Sequence, residues 1–401
     1  MSRVVPFTLI VLFAASLMAA LHGYVWLRLV HDVALPPLAY GAASALVVGL
    51  FASLVLAFWF GRRGAARTRP LLFLAFGWLG LLFFLVVLLA LTEPLRWLLP
   101  AVAGPLAGTA DPSKGAELLW SRAVAGGVAL LATVMTLAAV RSGLGRVRVR
   151  DVEVELTRLP ALLDGFVIVQ LSDVHVGPTI GQSFVTHLVE RCNELQADAV
   201  VITGDLVDGS VRELSAAVAP LARLRARHGV YFVTGNHEYY SGVSAWCREL
   251  DRLGVRVLRN ERVSIDQEGA GFDLAGVDDF SARQFGRGHG ADLPRALAGR
   301  DPSRELVLLA HQPRAMFEAE RLGVGLQLSG HTHGGQLWPW NYVVRLQQPI
   351  VSGLTRFGNC QVYVSNGTGY WGPPMRLGAP AEITRIVLRA RPAAGNMARA
   401  A

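Results

Sequence analysis

Hydrophobic and polar positions divide the chain into two textures that meet near residue 145. Before that point, four runs at about 4–27, 38–60, 71–92 and 123–140 contain no Lys, Arg, Asp or Glu. Each reaches the ~18 apolar residues that let a helix cross a hydrocarbon core. A single run of this kind reads equally well as a buried soluble helix or a cleaved leader. Four in succession predict a transmembrane region of four helices over 1–145. Beyond it the pattern shortens. VEVEL at 152–156 alternates as an edge strand does, and FVIVQLS at 166–172 is a β-rich run that ends in a polar turn. Helical patterning at 183–195 leads to AVVITGD at 199–205, a further helical period at 215–227 leads to GVYFVTGNH at 229–237, and ELVLLAHQP (305–313) and VGLQLSGHTHGG (324–335) follow. Apolar strands alternating with amphipathic helices predict an α/β domain over 150–390, its strands buried on both faces. Residues 260–303 read as a hairpin with a long loop, 334–381 as a second irregular excursion, and 391–401 as a disordered tail.

Charge then orients the chain. The formal net charge is +8, with 17% charged and 52% hydrophobic residues. A basic balance alone is compatible with nucleic acid. Here the arginines gather at the ends of apolar runs, which is the pattern of a membrane protein, and no nucleic-acid partner is expected. Arg3, then Arg62, Arg63, Arg67 and Arg69, then Arg141, Arg146, Arg148 and Arg150 mark one side of the bilayer, whereas Asp32, Glu93, Asp111 and Glu117 mark the other. The positive-inside rule predicts a multi-pass protein of the inner (cytoplasmic) membrane, with both termini and the α/β domain on the cytoplasmic side, next to the lipid bilayer. Cys192, Cys247 and Cys360 stand far apart without a CxxC pair, which argues against a disulfide framework.

The chemistry is concentrated where the apolar strands stop. Asp173 and His175 follow one strand, Asp205 the next, Asn236 and His237 the third, and His311, then His331 with His333, the last two. Ligand sites in open α/β sheets form beyond the carboxyl ends of strands, so five strand ends are expected to converge on one rim. Each piece alone is weak: a lone histidine after a strand is more often structural, and GD or GN is usually turn chemistry. Two aspartates, an asparagine and three or four histidines are too many donors for one tetrahedral zinc. They suit two divalent ions, Mn, Fe, Zn or Co, that share a carboxylate. Two cations ~3.5–4 Å apart clamp a phosphoryl group and supply a bridging hydroxide for its hydrolysis. Asp208 reads as support for its loop, and His187, His228 and His289 as surface residues.

The blocks DVH, GDLVD, GNHE, AHQ and GHTH, in this order and with 32 and 31 residues between the first three, resemble the calcineurin-like metallophosphoesterase superfamily. The resemblance covers residues 150–390. GHTHGGQLWPW and NGTGYWGPPMRLGAPAEIT are similar to its membrane-associated bacterial branch of phosphodiesterases and lipid pyrophosphatases. The resemblance implies a four-layer αββα sandwich following the four helices. It implies that Asp173, His175 and His333 bind one metal, that Asn236, His311 and His331 bind the second, and that Asp205 bridges them. His237 would stabilise the transition state or protonate the leaving oxygen, with Glu238 orienting it, and Arg376 is a candidate substrate contact. The expected activity is hydrolysis of a phosphodiester or pyrophosphate, with a lipid or lipid-precursor headgroup as substrate and soluble nucleotides or glycerophosphodiesters as the alternative. A sensor with a vestigial domain would have lost ligand blocks, and every block is present. A transporter would rest on His22 alone within the first run.

Overall fold

The structure is a computed structural model that describes residues 7–61, 68–106 and 114–391. The chain divides into two compact units, Met1–Arg141 with Gly372–Met375, and Ser142–Trp371 with Arg376–Ala401. The expected tail at 391–401 lies, from 392 onward, outside the described residues.

The first unit is built from α1 (Phe7–Trp26), which continues as a π-helical turn Leu27–His31, α2 (Pro37–Gly61), α3 (Arg69–Leu106) and α4 (Lys114–Gly143). Val11–His31, Pro37–Trp59, Arg69–Leu95 and Leu118–Gly143 are long and apolar enough to cross a membrane. The last three runs read from sequence sit inside these helices, and the first follows α1 and its π-helical turn from Phe7 onward, its residues 4–6 lying outside the described residues; α3 extends well past 92 and includes Pro94 and Pro100. Leu12, Phe13, Leu46, Val48, Leu130 and Leu137 face outward. The few polar groups are satisfied within the unit: Arg28 pairs bidentately with Glu93 (2.8 and 2.9 Å) and Tyr24 donates to the same carboxylate. His22 uses both ring nitrogens, Nδ1 on the Met18 carbonyl (2.7 Å) and Nε2 accepting from Trp78 Nε1 (2.8 Å). The residue that alone spoke for a transporter is thus a structural tie between helices.

The second unit stacks two six-stranded sheets. The first has the order β1 (Arg148–Leu156), β12 (Glu382–Ala390), β2 (Val167–Leu171), β3 (Ala199–Ile202), β4 (Val230–Phe232) and β5 (Val255–Val257). The second runs β10 (Gly353–Phe357), β11 (Cys360–Val364), β9 (Leu326–Ser329), β8 (Glu305–Leu309), β7 (Ala270–Gly276) and β6 (Glu261–Gln267). Strands β2 to β5 are mutually parallel, as are β7, β8, β9 and β11. Ile168, Val201, Leu274, Leu309 and Leu328 fill the space between the sheets. The outer face of the first sheet packs on α5 (Gln182–Glu194), α6 (Val211–Val218) and α8 (Val243–Arg252), which follows the short α7 (Asn236–Ser241). The outer face of the second is covered by α9 (Leu293–Ala296) and α10 (Met316–Arg321). This is the expected αββα order of layers, and the central strands are largely apolar because both faces are covered, although buried polar residues such as Gln170 and Gln327 interrupt them.

VEVEL falls on β1, at the edge of its sheet, and 260–303 contains the β6–β7 hairpin. The excursion at 334–381 is more regular than its sequence promised. It carries the helix α11 (Trp340–Val344) and the hairpin β10–β11, which completes the second sheet. The hairpin was obscured because β10 is exposed and polar, leaving only the Gly358–Asn359 turn as a signal.

Candidate metal centre

Five loops at the carboxyl ends of β2, β3, β4, β8 and β9 meet over the sheets. They do so in an uncommon conformation: Asp173, His175, Asp205, His331 and His333 all have positive φ, between 51° and 72°. Non-glycine residues avoid this region, and side chains held there cluster at functional sites. Backbone bonds lock the loops together, Asp173 N–H to the Gly204 carbonyl and His175 N–H to that of Asp205. Glycines make the approach possible. At Gly204 (φ +88°) a Cβ would lie 2.6 Å from Gly235 N, and at Gly330 it would lie 1.9 Å from Ser172 Oγ.

The side chains form three groups whose ligand atoms lie within 4.8 Å of one another: the two candidate ligand groups, Asp173 with His175 and His333, and Asp205 with His311 and His331, and a third, His175 with Asp208 and His237, beside them. Each of the two ligand groups draws on both sheets. His175 Nε2 faces His333 Nε2 at 3.0 Å, and His311 Nε2 lies 3.0 Å from Asp205 Oδ2 and 3.2 Å from His331 Nδ1. Tautomers sharpen this arrangement. His311 Nδ1 donates to the Thr203 carbonyl (2.7 Å) and His175 Nδ1 is held by Asp208 (3.1 Å), so each Nε2 lone pair is aimed into the centre. Among the described residues Asn236 Oδ1 is buried without a hydrogen-bond partner, although acceptors so placed are almost always satisfied. Lone pairs, carboxylates and an orphaned amide oxygen, all converging, are a donor set that fits divalent cations.

The electrostatics follow from burial opposed by charge. Burial pushes the Asp205 carboxyl up, but the neighbouring His311 and His237 bring it well below its usual value. Burial, then His175 and Arg376, hold His333 well below the ordinary histidine range, which keeps it a lone-pair donor. For His237, burial lowers the pKa, yet Asp205 and the hydrogen bond from its ring to Asp208 raise it to about 9. His237 is the second residue of α7 and its N–H donates to Asp205 Oδ1 (2.9 Å), while Nδ1 meets Asp208 Oδ1 at 2.6 Å. Its Nε2 is then left 3.9 Å from Asp205 Oδ2, beside the centre. Trp371 and Tyr240, both exposed, flank the ring at 5.7 and 5.4 Å.

Three placements differ from the sequence reading. Arg376, a candidate substrate contact, is fully buried. Its guanidinium donates to the carbonyls of His333, Asn366 and Gly369 and approaches His333 Nδ1 at 3.2 Å, so it braces the ligand turn and offers nothing to a substrate. Glu238 does not orient His237. Its buried carboxylate accepts from the N–H groups of Asp205, Leu206, Val207 and Gly235, and thereby fixes the loop that carries Asp205. Asp208 is more than loop support, because it shares one carboxylate between His175 and His237. The DLVD spacing was its only trace in the sequence. His187 is exposed, while His228 and His289 are partly buried, and none of the three belongs to either ligand group.

Residues 166–335, which contain all seven ligand candidates, match the calcineurin-like phosphoesterase family. The chain is 40% identical to a transmembrane protein with metallophosphoesterase domain from Bos taurus, over 95% of this chain and 89% of the bovine one. A protein of the same description from Danio rerio is 43% identical over 60% of this chain and 57% of its own length. An uncharacterised metallophosphoesterase from Helicobacter pylori is 39% identical over 61% and 65%. The chain therefore spans less than two thirds of each of these last two relatives.

Proposed function

Since the chain belongs to the calcineurin-like phosphoesterase family, we propose that it is a membrane-anchored, metal-dependent hydrolase of a phosphodiester or pyrophosphate in a lipid or lipid-precursor headgroup. The observation that carries the catalytic half of this reading is the convergence of two ligand groups with the orphaned Asn236 oxygen beside His237. The membrane half rests on four helices of membrane-crossing length in the same chain, and the cytoplasmic placement on the arginines at one set of their ends.

Asp173, His175 and His333 would hold one ion, and Asn236, His311 and His331 the other, with Asp205 between them. When bound, two such ions polarise the phosphoryl oxygens and activate water as a nucleophile. The neutral Asn236 adds a ligand oxygen without adding negative charge, which favours an anionic substrate. His237 carries a proton that Asp208 holds on the Nδ1 side, and its Nε2 faces the centre. From there it hydrogen-bonds the phosphoryl group and delivers a proton to the leaving oxygen.

The reading is tested with the full chain purified in detergent, its metal content measured by mass spectrometry, against a panel of lipid pyrophosphates, lipid phosphodiesters and soluble nucleotides. Turnover of lipid-linked members that Asp205→Asn abolishes is the expected result. Activity confined to soluble nucleotides would overturn the lipid substrate, and undiminished activity in Asp205→Asn would overturn the two-metal centre. A C-terminal reporter that reads as periplasmic would reverse the sidedness.

A further inference from the structure

A second cavity, of about 480 Å³, adjoins the GHTH turn. Gly334, the residue after the ligand His333, forms part of one wall, and α11, the segment that links it to β10, β10 itself and Leu377 with Gly378 form the rest. This volume lies in the range of small-molecule sites. Trp338, Asn341 and Arg345 follow one another at spacings of three and four, approach or ride α11 on one side, and all line the cavity with Ser352 and Thr355.

These side chains are unspent. Arg345 is the one charged residue in the lining, and among the described residues its guanidinium makes no ion pair, meeting only the Tyr342 ring at 5.8 Å. Asn341 Oδ1 is buried and has no hydrogen-bond partner. A lone guanidinium with no carboxylate nearby selects an anion. A buried acceptor is costly unless a donor reaches it, and hydroxyl is the donor that an anionic ligand carries without adding positive charge. The indole of Trp338 offers an apolar face for the C–H side of a polyol.

We propose that this cavity is a second binding site, for an anionic group on a polyhydroxyl frame such as a glycerophosphate or sugar phosphate, and that it holds the part of the substrate beyond the scissile bond. Arg345 binds the anion, Asn341 accepts from a hydroxyl, and Ser352 and Thr355 serve the remaining oxygens. The use of the site in catalysis rests on the phosphoesterase reading above, whereas its binding chemistry does not.

Binding is therefore measured first without metal. Full-length protein in detergent, stripped with a chelator, is dialysed to equilibrium against radiolabelled glycerol phosphate, with inorganic phosphate and glycerol as competitors. Saturable binding that Arg345→Gln weakens about tenfold, as expected for loss of one charge-assisted contact, and that Asn341→Ala also weakens, supports the site. Binding that is absent, or equal in the variants, overturns it. With metals restored, Arg345→Gln should raise KM about tenfold for a diester bearing glycerol phosphate while leaving turnover of bis(p-nitrophenyl) phosphate unchanged. An unchanged KM overturns the link to substrate. Wild-type protein that hydrolyses neither compound, yet binds glycerol phosphate, would instead discredit the hydrolase reading and leave the site standing.

Discussion

Asp208 is the residue on which two functions meet, since one carboxylate fixes both the ligand His175 and the proton-bearing His237. Neither imidazole can change tautomer without breaking its bond to that group. Loss of such a supporting hydrogen bond typically costs 10- to 100-fold in metal affinity or activity. Asp208→Asn is therefore expected to lower kcat/KM on bis(p-nitrophenyl) phosphate by ~10–100-fold, with an unchanged circular dichroism spectrum. Retention of full activity would show that the shared carboxylate is dispensable. Gly330 tests the other side of the centre. A methyl group there would fall 1.9 Å from Ser172 Oγ and 2.1 Å from Asp173 Oδ2, against two short, buried side chains, one of them a ligand candidate already held by the His331 N–H. Gly330→Ala should thus bind fewer than the two ions of the wild type, as counted by mass spectrometry of the desalted protein.

At the level of elements, β12 joins what the chain order separates. It lies between β1 and β2 although it is the last strand, and its first residue, Glu382, accepts from Tyr363 Oη (2.6 Å) and Asn366 N–H (3.1 Å). This buried bond crosses from one sheet to the other. Tyr363→Phe leaves the carboxylate short of a donor and should cost ~1–3 kcal/mol of unfolding free energy, read from denaturant midpoints of the catalytic unit. The elements also show what a sequence discloses. β2, β3, β4, β8 and β9 were legible because burial on both faces favours a predominantly apolar run, and the ligands were legible because each run ends on a residue type suited to metals. β10 was not, since an exposed strand has no such constraint. Arg376 was misread for a related reason. Arginine in a loop announces a charge, but only the packed structure reveals that its donors are consumed by the His333, Asn366 and Gly369 carbonyls. Glu238 stood in the correct block, and its task of gathering four N–H groups depends on a neighbouring loop that the sequence places about 30 residues away.

For the whole molecule, the decisive feature is that neither ligand group belongs to a single sheet. Asp173 and His175 extend from the first sheet and His333 from the second, just as Asp205 extends from the first and His311 with His331 from the second. A ligand that binds only the folded state adds about 2.7 kcal/mol of stability at a hundredfold excess over its Kd. The catalytic unit should therefore melt at a lower temperature after chelation, and its Tm should climb again with added Mn or Zn in calorimetry. A Tm indifferent to metal would contradict the donor geometry. The five left-handed ligand positions give this cross-sheet arrangement a further meaning. Each costs on the order of 1–3 kcal/mol as backbone, a tension that ions clasped across the sandwich would hold closed. Without them the loops are wound springs with the catch released, and on heating the two sheets should part at the catalytic rim sooner than in the metal-bound protein. In a cell starved of transition metals, such a protein would become a substrate for proteases as it ceased to be an enzyme, so that its abundance as well as its activity would track the metal supply.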